Sequence, residues 1–341
     1  MNSSLTLEGI AKLAGVSRST VSRVINNQPN VREPVRERVW QVIRETGYQP
    51  HAAARSLVTR STRIVGVIIP EAVTTLFTDP FFPRLLCGIT QTCNLQGYQL
   101  MLSLFNGPVG PEEMYRRVIG GGHLDGVVVA STRFGDPLIG RLVEDDIPFV
   151  MVGRYPEEQA SYVDVDNVAA ARIAVDHLAR LGHERIGTIT GPLDVCSGAD
   201  RLEGYRQALA AHRLPVDDSL IVEGDFTEES GIAAARRLLA AGVTAIFAAS
   251  DIMAVGALKV IREAGLEVPE DVALVGFDDM PIAAVLQPAL TTVRQPVEQM
   301  GAMAADLLLG LLDCPLDGRP PPQDLVLPTK LIVRESCGAL R

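Results

Sequence analysis

From Arg63 onward, short continuous apolar runs alternate with helical segments, an order that few architectures accommodate. The expected strands are IVGVII (64 to 69), YQLMLSL (98 to 104), DGVVVA (125 to 130), PFVMV (148 to 152), RIGTIT (185 to 190), SLIVEG (219 to 224), TAIFAAS (244 to 250) and VALVGF (272 to 277). Helical segments between them include 81 to 96, 168 to 181, 199 to 212, 228 to 241 and 251 to 265. Runs without period-two alternation are buried on both faces, which requires parallel strands covered by helices on either side. The expectation is an α/β body of two doubly wound parallel-sheet subdomains that meet near Val163 to Asn167. A chain of 341 residues also exceeds what one compact core holds.

The first 60 residues follow a different pattern. LTLEGIAKLAGVSRSTVSRVIN (5 to 26) reads as two short helices around a turn, the helix-turn-helix arrangement that lays a helix in the DNA major groove. Helix 1 is expected from about Leu7 to Leu13, with Thr6 as N-cap and Ile10 and Leu13 facing inward. Gly15 takes the positive φ of the turn, Val16 plugs the angle between the helices, and Ser17 caps helix 2. With Val21 and Val24 inward, the outer face presents Arg18, Ser19, Ser22 and Arg23, whose donors and hydroxyls suit base edges and phosphates. A third helix is expected from Pro34 to Thr46, with Val35, Val39, Val42 and Ile43 packing on the first two and Gly47 as its stop. Tyr48-Gln49-Pro50 breaks the chain, and His51 to Leu57 is helix-prone but only about two turns long. Helices below about 12 residues are marginal in water, so this segment reads as a hinge that folds only when something holds it.

Charge divides along the same boundary. Residues 1 to 60 hold nine Lys and Arg against four Asp and Glu, and the remaining 281 hold 22 against 37, so a net charge of −10 conceals a basic head on an acidic body. The five cysteines show no C-x-x-C spacing and read as reduced thiols of a cytoplasmic protein. The N-terminus lacks a basic start followed by an apolar run, and no apolar stretch approaches the roughly 18 residues of a membrane helix, so no membrane association is expected. His177 and His183 stand six apart and suggest no metal site, G-x-S-x-G is absent, and Gly120-Gly121-Gly122 precedes a strand rather than following one.

In open α/β sheets, ligands bind beyond the carboxyl ends of the strands. Those ends here carry Asp79, Phe81 and Phe82, then Arg154, then Ser197 with Arg201, then Phe226, Ser250-Asp251 and Asp278-Asp279, with Gln295 near the junction. Aromatic rings stack on a small ring while carboxylates and guanidinium forks fix its hydroxyls, so a sugar-sized polar ligand is the natural occupant.

Taken in order, TLEGIAKLAGVSRSTVSRVIN, GYQPHAAARSL, the DPFF segment, GPL…ADRLEGY, ASDIMAVGAL and LVGFDD…PALTTVRQP resemble the lactose-repressor (LacI/GalR) family of bacterial transcription regulators along nearly the whole chain. The resemblance implies a homodimer whose heads, residues 1–50, read the halves of a palindromic operator in double-stranded DNA. It implies a hinge over residues 51–62 that inserts Leu57 into the minor groove beside Ala54 and Arg55, and a DNA-facing set of Thr6, Ser17, Arg18, Ser19, Ser22, Arg23 and Asn26. The body, residues 63–341, would resemble periplasmic binding proteins, with an N-subdomain of about 63–164 plus 295–328 and a C-subdomain of about 165–294 plus 329–341. Asp79, Phe81, Phe82, Arg154, Ser197, Arg201, Phe226, Ser250, Asp251, Asp278 and Gln295 would line its effector cleft, with no cofactor, no metal and no catalytic residues.

Several positions depart from the family pattern. Gly9 replaces the usual acid in helix 1, Arg32 the usual Ser or Thr cap of helix 3, and His51 the usual Asn before the hinge, each cap being worth about 1 kcal/mol. Asp79 and Ser250 stand where Asn is common. The absence of trailing heptads after KLIVR argues for dimers rather than tetramers. Two other classes share the body. A sugar-binding transport protein would need a signal peptide and lack residues 5 to 60, and a carbohydrate-acting enzyme would need a paired acid and base, for which Asp251 with Asp278 is the one candidate.

Overall fold

The computed structural model describes residues 6–25, 28–48, 61–69, 73–103, 111–130, 133–155, 160–315 and 318–339. Two compact units, Met1–Arg63 and Ile64–Arg341, separate within it. The hinge residues Ala54, Arg55 and Leu57, and Asn26 of the DNA-facing set, lie outside the described residues.

The head comprises α1 (Leu7–Ala14), α2 (Arg18–Ile25) and α3 (Glu33–Thr46). Thr6 caps α1 by accepting from the Gly9 amide at 3.3 Å, and Ser17 caps α2 by accepting from the Thr20 amide at 3.1 Å. Gly15 turns the chain between them at φ 64°, a conformation that costs other residues more. Ile10, Ala11, Ala14, Val21, Val24, Val39 and Ile43 form the head's core, as the helical spacing requires. One expectation needs correction: Leu13 is 58% exposed, because Ala11 and Ala14 take the inner face of α1. The chain leaves the helix at Gly47 as expected, and Tyr48 is buried in the head core. Arg32 makes no side-chain cap to α3, in keeping with its departure from the family pattern.

In the body, the first sheet is built from β1 (Ile64–Ile68), β2 (Gln99–Ser103), β3 (Gly126–Ala130), β4 (Phe149–Val152) and β5 (Tyr162–Val165). The helices around it are α4 (Val73–Thr78), α5 (Phe81–Leu95), α6 (Pro111–Val118) and α7 (Pro137–Glu144). The second sheet follows with α8 (Asn167–Arg180), β6 (Ile186–Thr190), α9 (Cys196–Ala211), β7 (Ile221–Glu223), α10 (Glu228–Ala240), β8 (Ala245–Ala248), α11 (Asp251–Glu263), β9 (Ala273–Asp278), α12 (Pro281–Val285) and β10 (Thr291–Arg294). The chain then returns through α13 (Val297–Asp313) and β11 (Asp324–Leu327) to the first sheet, and ends at β12 (Lys330–Ile332) in the second.

Strand orders β11-β5-β4-β3-β1-β2 and β12-β10-β9-β8-β6-β7 are the same winding repeated, each closed by an edge strand from the returning segment. Every expected strand is present within a few residues of its expected bounds. Adjacent residues of one strand point to opposite cores and both are covered. Val128 packs with α5 and α13 side chains, whereas Val127 and Val129 pack with α7. In the second half Ile246 and Leu274 face one core, and Phe247 and Val275 the other. The all-parallel expectation fails at one edge, since β12 runs antiparallel to β10. Only Pro328 and Thr329 separate β11 from β12, so this edge strand is delivered from the other sheet by a short connection and not by the helical crossover that sets a parallel partner.

Candidate functional site

The strand order reverses between β1 and β3 in one sheet and between β6 and β8 in the other, and the carboxyl ends around these two points face a common cleft. Asp79, Phe81, Phe82, Arg154, Ser197, Arg201, Phe226, Asp278 and Gln295 all line it, with Asp164, Asn167, Cys196 and Met300 among its other walls. The space they enclose is about 700 Å³, part of it open to solvent.

Arg201, projecting from the first turns of α9, organises the floor of the cleft. Its Nε donates to Asn167 Oδ1 at 2.9 Å and its Nη1 to the Ala249 carbonyl at 2.6 Å, with Asp278 Oδ1 at 3.7 Å. The guanidinium lies over the Phe277 ring at 3.7 Å from its centroid and 5.9 Å from that of Phe226. Asn167 in turn donates to Asp164 Oδ1 at 3.1 Å, and Gln295 Nε2 donates to Asp278 Oδ1 at 2.5 Å. The chain passes between the sheets beside Asn167 and again beside Gln295, so this polar network is built on the connections between the two halves.

Burial dominates the electrostatics. It pushes the Asp278 carboxyl up to about 7 against the pull of Arg201, and the Asp79 carboxyl up to about 6 although Asp79 accepts from the Phe81 amide at 2.9 Å. Burial raises Asp164 as well, and draws Arg201 down from its ordinary value. Asp278 holds φ 109° and Asp279 φ 53°, conformations that need outside support. Asp279 has it, bonding Arg294 at 2.6 Å and Arg334 at 2.5 Å.

The apolar walls are equally specific. Phe81 and Phe82 meet edge to face, 5.4 Å between centroids. Phe226 adopts φ 65°, and its ring lies so close to Gly191 that a Cβ there would come within 2.1 Å of it. Only glycine leaves room for the ring at that turn.

Ser250 and Asp251 are not among the lining residues. Ser250 caps α11 by accepting from the Met253 amide at 3.2 Å. Asp251 is fully buried, accepting from the Met280 amide at 2.7 Å and from Thr292 Oγ1 at 2.6 Å, so it braces the segment that carries Asp278. The only acid–base pairing suggested by the sequence, Asp251 with Asp278, is therefore not presented together to a ligand. Asp164, Asn167 and Cys196 were missed, since a lone Asp in a four-residue strand and the first residues of a helix resemble ordinary caps. Among the described residues no group of three or more His, Cys, Asp or Glu could hold a metal ion.

On the head, Arg18, Ser19 and Arg23 share the exposed side of α2, with Ser22 half-buried beside them. Ser17 and Thr6 spend their hydroxyls on capping bonds. Arg18 pairs with Glu8 at 3.0 Å, and both side chains are mostly exposed.

Residues 6–51 match the family of bacterial regulatory proteins, lacI family, and residues 175–337 match the periplasmic binding protein-like domain. The HTH-type transcriptional regulator CelR of Thermobifida fusca is 45% identical over 336 residues, covering 97% of this chain and 98% of that protein. The HTH-type transcriptional repressor PurR of Escherichia coli O1:K1 / APEC is 35% identical over 337 residues, 97% of this chain and 96% of PurR. Among solved structures, the transcriptional regulator CelR–cellobiose complex aligns with TM-score 0.76 at 42% identity, over 97% of this chain and 99% of that one. The lac repressor dimer bound to operator and the anti-inducer ONPF aligns with TM-score 0.85 at 26% identity, over 97% and 98%. These relatives are transcription regulators, not enzymes, and among the described residues no helix is long and apolar enough to cross a membrane. A helix-turn-helix head followed by a periplasmic-binding-protein-like body with a ligand cleft, matched in order over nearly the full length, establishes that the chain belongs to the lacI family of bacterial regulatory proteins and is a ligand-controlled, DNA-binding transcription regulator.

Proposed function

We propose that this regulator is a cytoplasmic homodimeric repressor whose effector is a sugar of the cellobiose class. The observation that carries the reading is the gathering of three phenylalanine rings, Phe81, Phe82 and Phe226, with Asp79, Arg201, Asp278 and Gln295 around one cleft. Rings stack on the faces of a pyranose while forked polar groups fix its hydroxyls. The CelR relative, solved with cellobiose, supports the same ligand class. The effector set is Asp79, Phe81, Phe82, Arg154, Ser197, Arg201, Phe226, Asp278 and Gln295.

Residues 1–50 form the DNA-binding domain, 51–62 the hinge and 63–341 the effector-binding domain. Thr6, Ser17, Arg18, Ser19, Ser22, Arg23 and Asn26 contact one half of a palindromic operator, and Ala54, Arg55 and Leu57 contact its minor groove. The ligand acts by moving one half of the body against the other through the connections that carry Asn167 and Gln295, which changes the spacing at which paired hinges meet. Couplings of this kind are about 1 to 3 kcal/mol, or 5- to 150-fold in operator affinity.

The test uses full-length protein and a palindromic DNA selected in vitro from a random library. Fluorescence anisotropy with and without cellobiose should show a change of affinity within that range. An operator affinity that is the same with cellobiose and with every other mono- and disaccharide overturns the reading.

A further inference from the structure

Both cations of the cleft are already paired within the protein. Its basic lining residues are Arg154 and Arg201. Arg201 is buried, with its guanidinium spent on Asn167, the Ala249 carbonyl and Asp278 and laid against Phe277. Arg154, after β4, is the one guanidinium that reaches solvent, its side chain 44% exposed. It is held by Asp200, the residue that precedes Arg201 on α9 and is not itself among the lining residues. Nearby Arg84 is likewise occupied, by Glu298 at 3.2 Å. Three carboxyls, Asp79, Asp164 and Asp278, line the same space.

The consequence for a ligand is asymmetric. A polyhydroxyl ring finds acceptors and aromatic faces. A phosphate or carboxylate must shed its water, finds both guanidiniums already paired, and faces three carboxyls that supply no compensating cation. We propose that Asp200 is the residue that makes this cleft take an uncharged sugar and reject its phosphorylated or carboxylated counterpart, by holding the guanidinium of Arg154 that an anion would otherwise bind. The proposal rests on the reading of the cleft as a sugar site.

Isothermal titration of the full-length protein with cellobiose and with cellobiose 6-phosphate reads the selectivity directly. The wild-type protein should bind the neutral sugar and bind the phosphorylated one at least about 10-fold more weakly, a charge-assisted hydrogen bond being the interaction withheld. Asp200→Asn, which removes the charge and keeps the shape, should shift the ratio of the two affinities by about 10- to 100-fold toward the phosphorylated sugar. Asp200→Ser serves if the first variant folds poorly. Thermal protection by inorganic phosphate gives a second readout that needs no sugar: absent in wild type, present in the Asp200 variants, and lost again when Arg154→Gln is added, which excludes phosphate bound at the head. Equal binding of both sugars by wild type overturns the proposal, as does failure of both Asp200 variants to acquire an Arg154-dependent phosphate response. If neither sugar binds wild type but that response appears, exclusion of anions by Asp200 stands and the sugar reading falls.

Discussion

Arg133 and Asp194 form an ion pair across the two halves of the body, with Arg133 Nη1 at 2.8 and 2.7 Å from the two carboxylate oxygens. Arg133 follows β3 of the first sheet, and Asp194 lies between β6 and α9 of the second. The Phe134 amide donates to the Asp194 carbonyl at 2.7 Å, and Arg133 bridges Val195, so backbone as well as charge ties the halves together there. The side chains are about half exposed, and such pairs contribute about 0.2–1 kcal/mol. Arg133→Ala or Asp194→Ala should weaken effector binding by no more than about fivefold, an effect that shrinks at high salt. The double exchange Arg133→Asp with Asp194→Arg should recover part of it in calorimetric titrations. A loss that is equal at low and high salt would place the effect in the backbone bridge.

The raised carboxyls set a pH dependence. For Asp278, at about 7 in the folded body against 3.8 as its ordinary value, protonation favours the folded state. Its contribution is therefore fully present below pH 3.8 and is lost as pH rises through about 7. Asp79 adds a similar loss through about 6. Between pH 5 and 8 the melting temperature of wild type should fall relative to that of Asp278→Asn. A constant difference between the two across that range contradicts the buried, protonatable carboxyl.

Removal of Arg201 strands several partners at once. Arg201→Ala leaves Asn167 Oδ1 and the Ala249 carbonyl without their donor and Asp278 without its cation, and breaking one side of a buried pair costs about 3–5 kcal/mol. Urea titration of the body should show a loss of that size together with loss of effector response. Lysine should not rescue it, since a single ammonium cannot replace the planar fork that reaches Asn167 and Ala249 while lying on Phe277.

On the head, Arg23 and Arg18 should behave differently. Arg23→Ala should cost about 1–3 kcal/mol on the specific operator, with relaxed preference at one base pair. Arg18→Ala should cost less, because in the free head Arg18 already has Glu8 as a partner to give up on binding. Anisotropy on specific and random DNA separates the cases, and equal losses on both would make either residue a phosphate contact only.

Leu57 offers DNA no hydrogen bond, and the proposed hinge contact gives it the role of an apolar wedge between base steps. Leu57→Ala should reduce operator affinity and DNA bending together, with effector affinity and the melting temperature of the body nearly constant. Retained bending with a destabilised body would make Leu57 a packing residue instead.

The features legible along the chain are local. Thr6 and Ser17 cap, Gly15 turns, and Val21 and Val24 point inward because capping and helical period act over three or four residues. The long apolar strands announce themselves in the same way, as runs that only a doubly covered sheet can bury. Strands such as Tyr162–Val165 and Thr291–Arg294 do not, since they are short, carry polar residues, and draw their burial from neighbours far along the chain. Tertiary structure alone decided which polar residues at the strand ends meet. Asp251 and Asp278 are both acids beside a strand terminus, yet one turns inward to Thr292 and the Met280 amide while the other faces the cleft with Gln295. Asp164, Asn167 and Asp200 look like helix caps and surface charge until the folded chain sets them against Arg201 and Arg154. Asn167 and Arg201 stand 34 residues apart and Arg154 and Asp200 stand 46 apart, beyond the reach of any local period, and burial fixes which of them must pair.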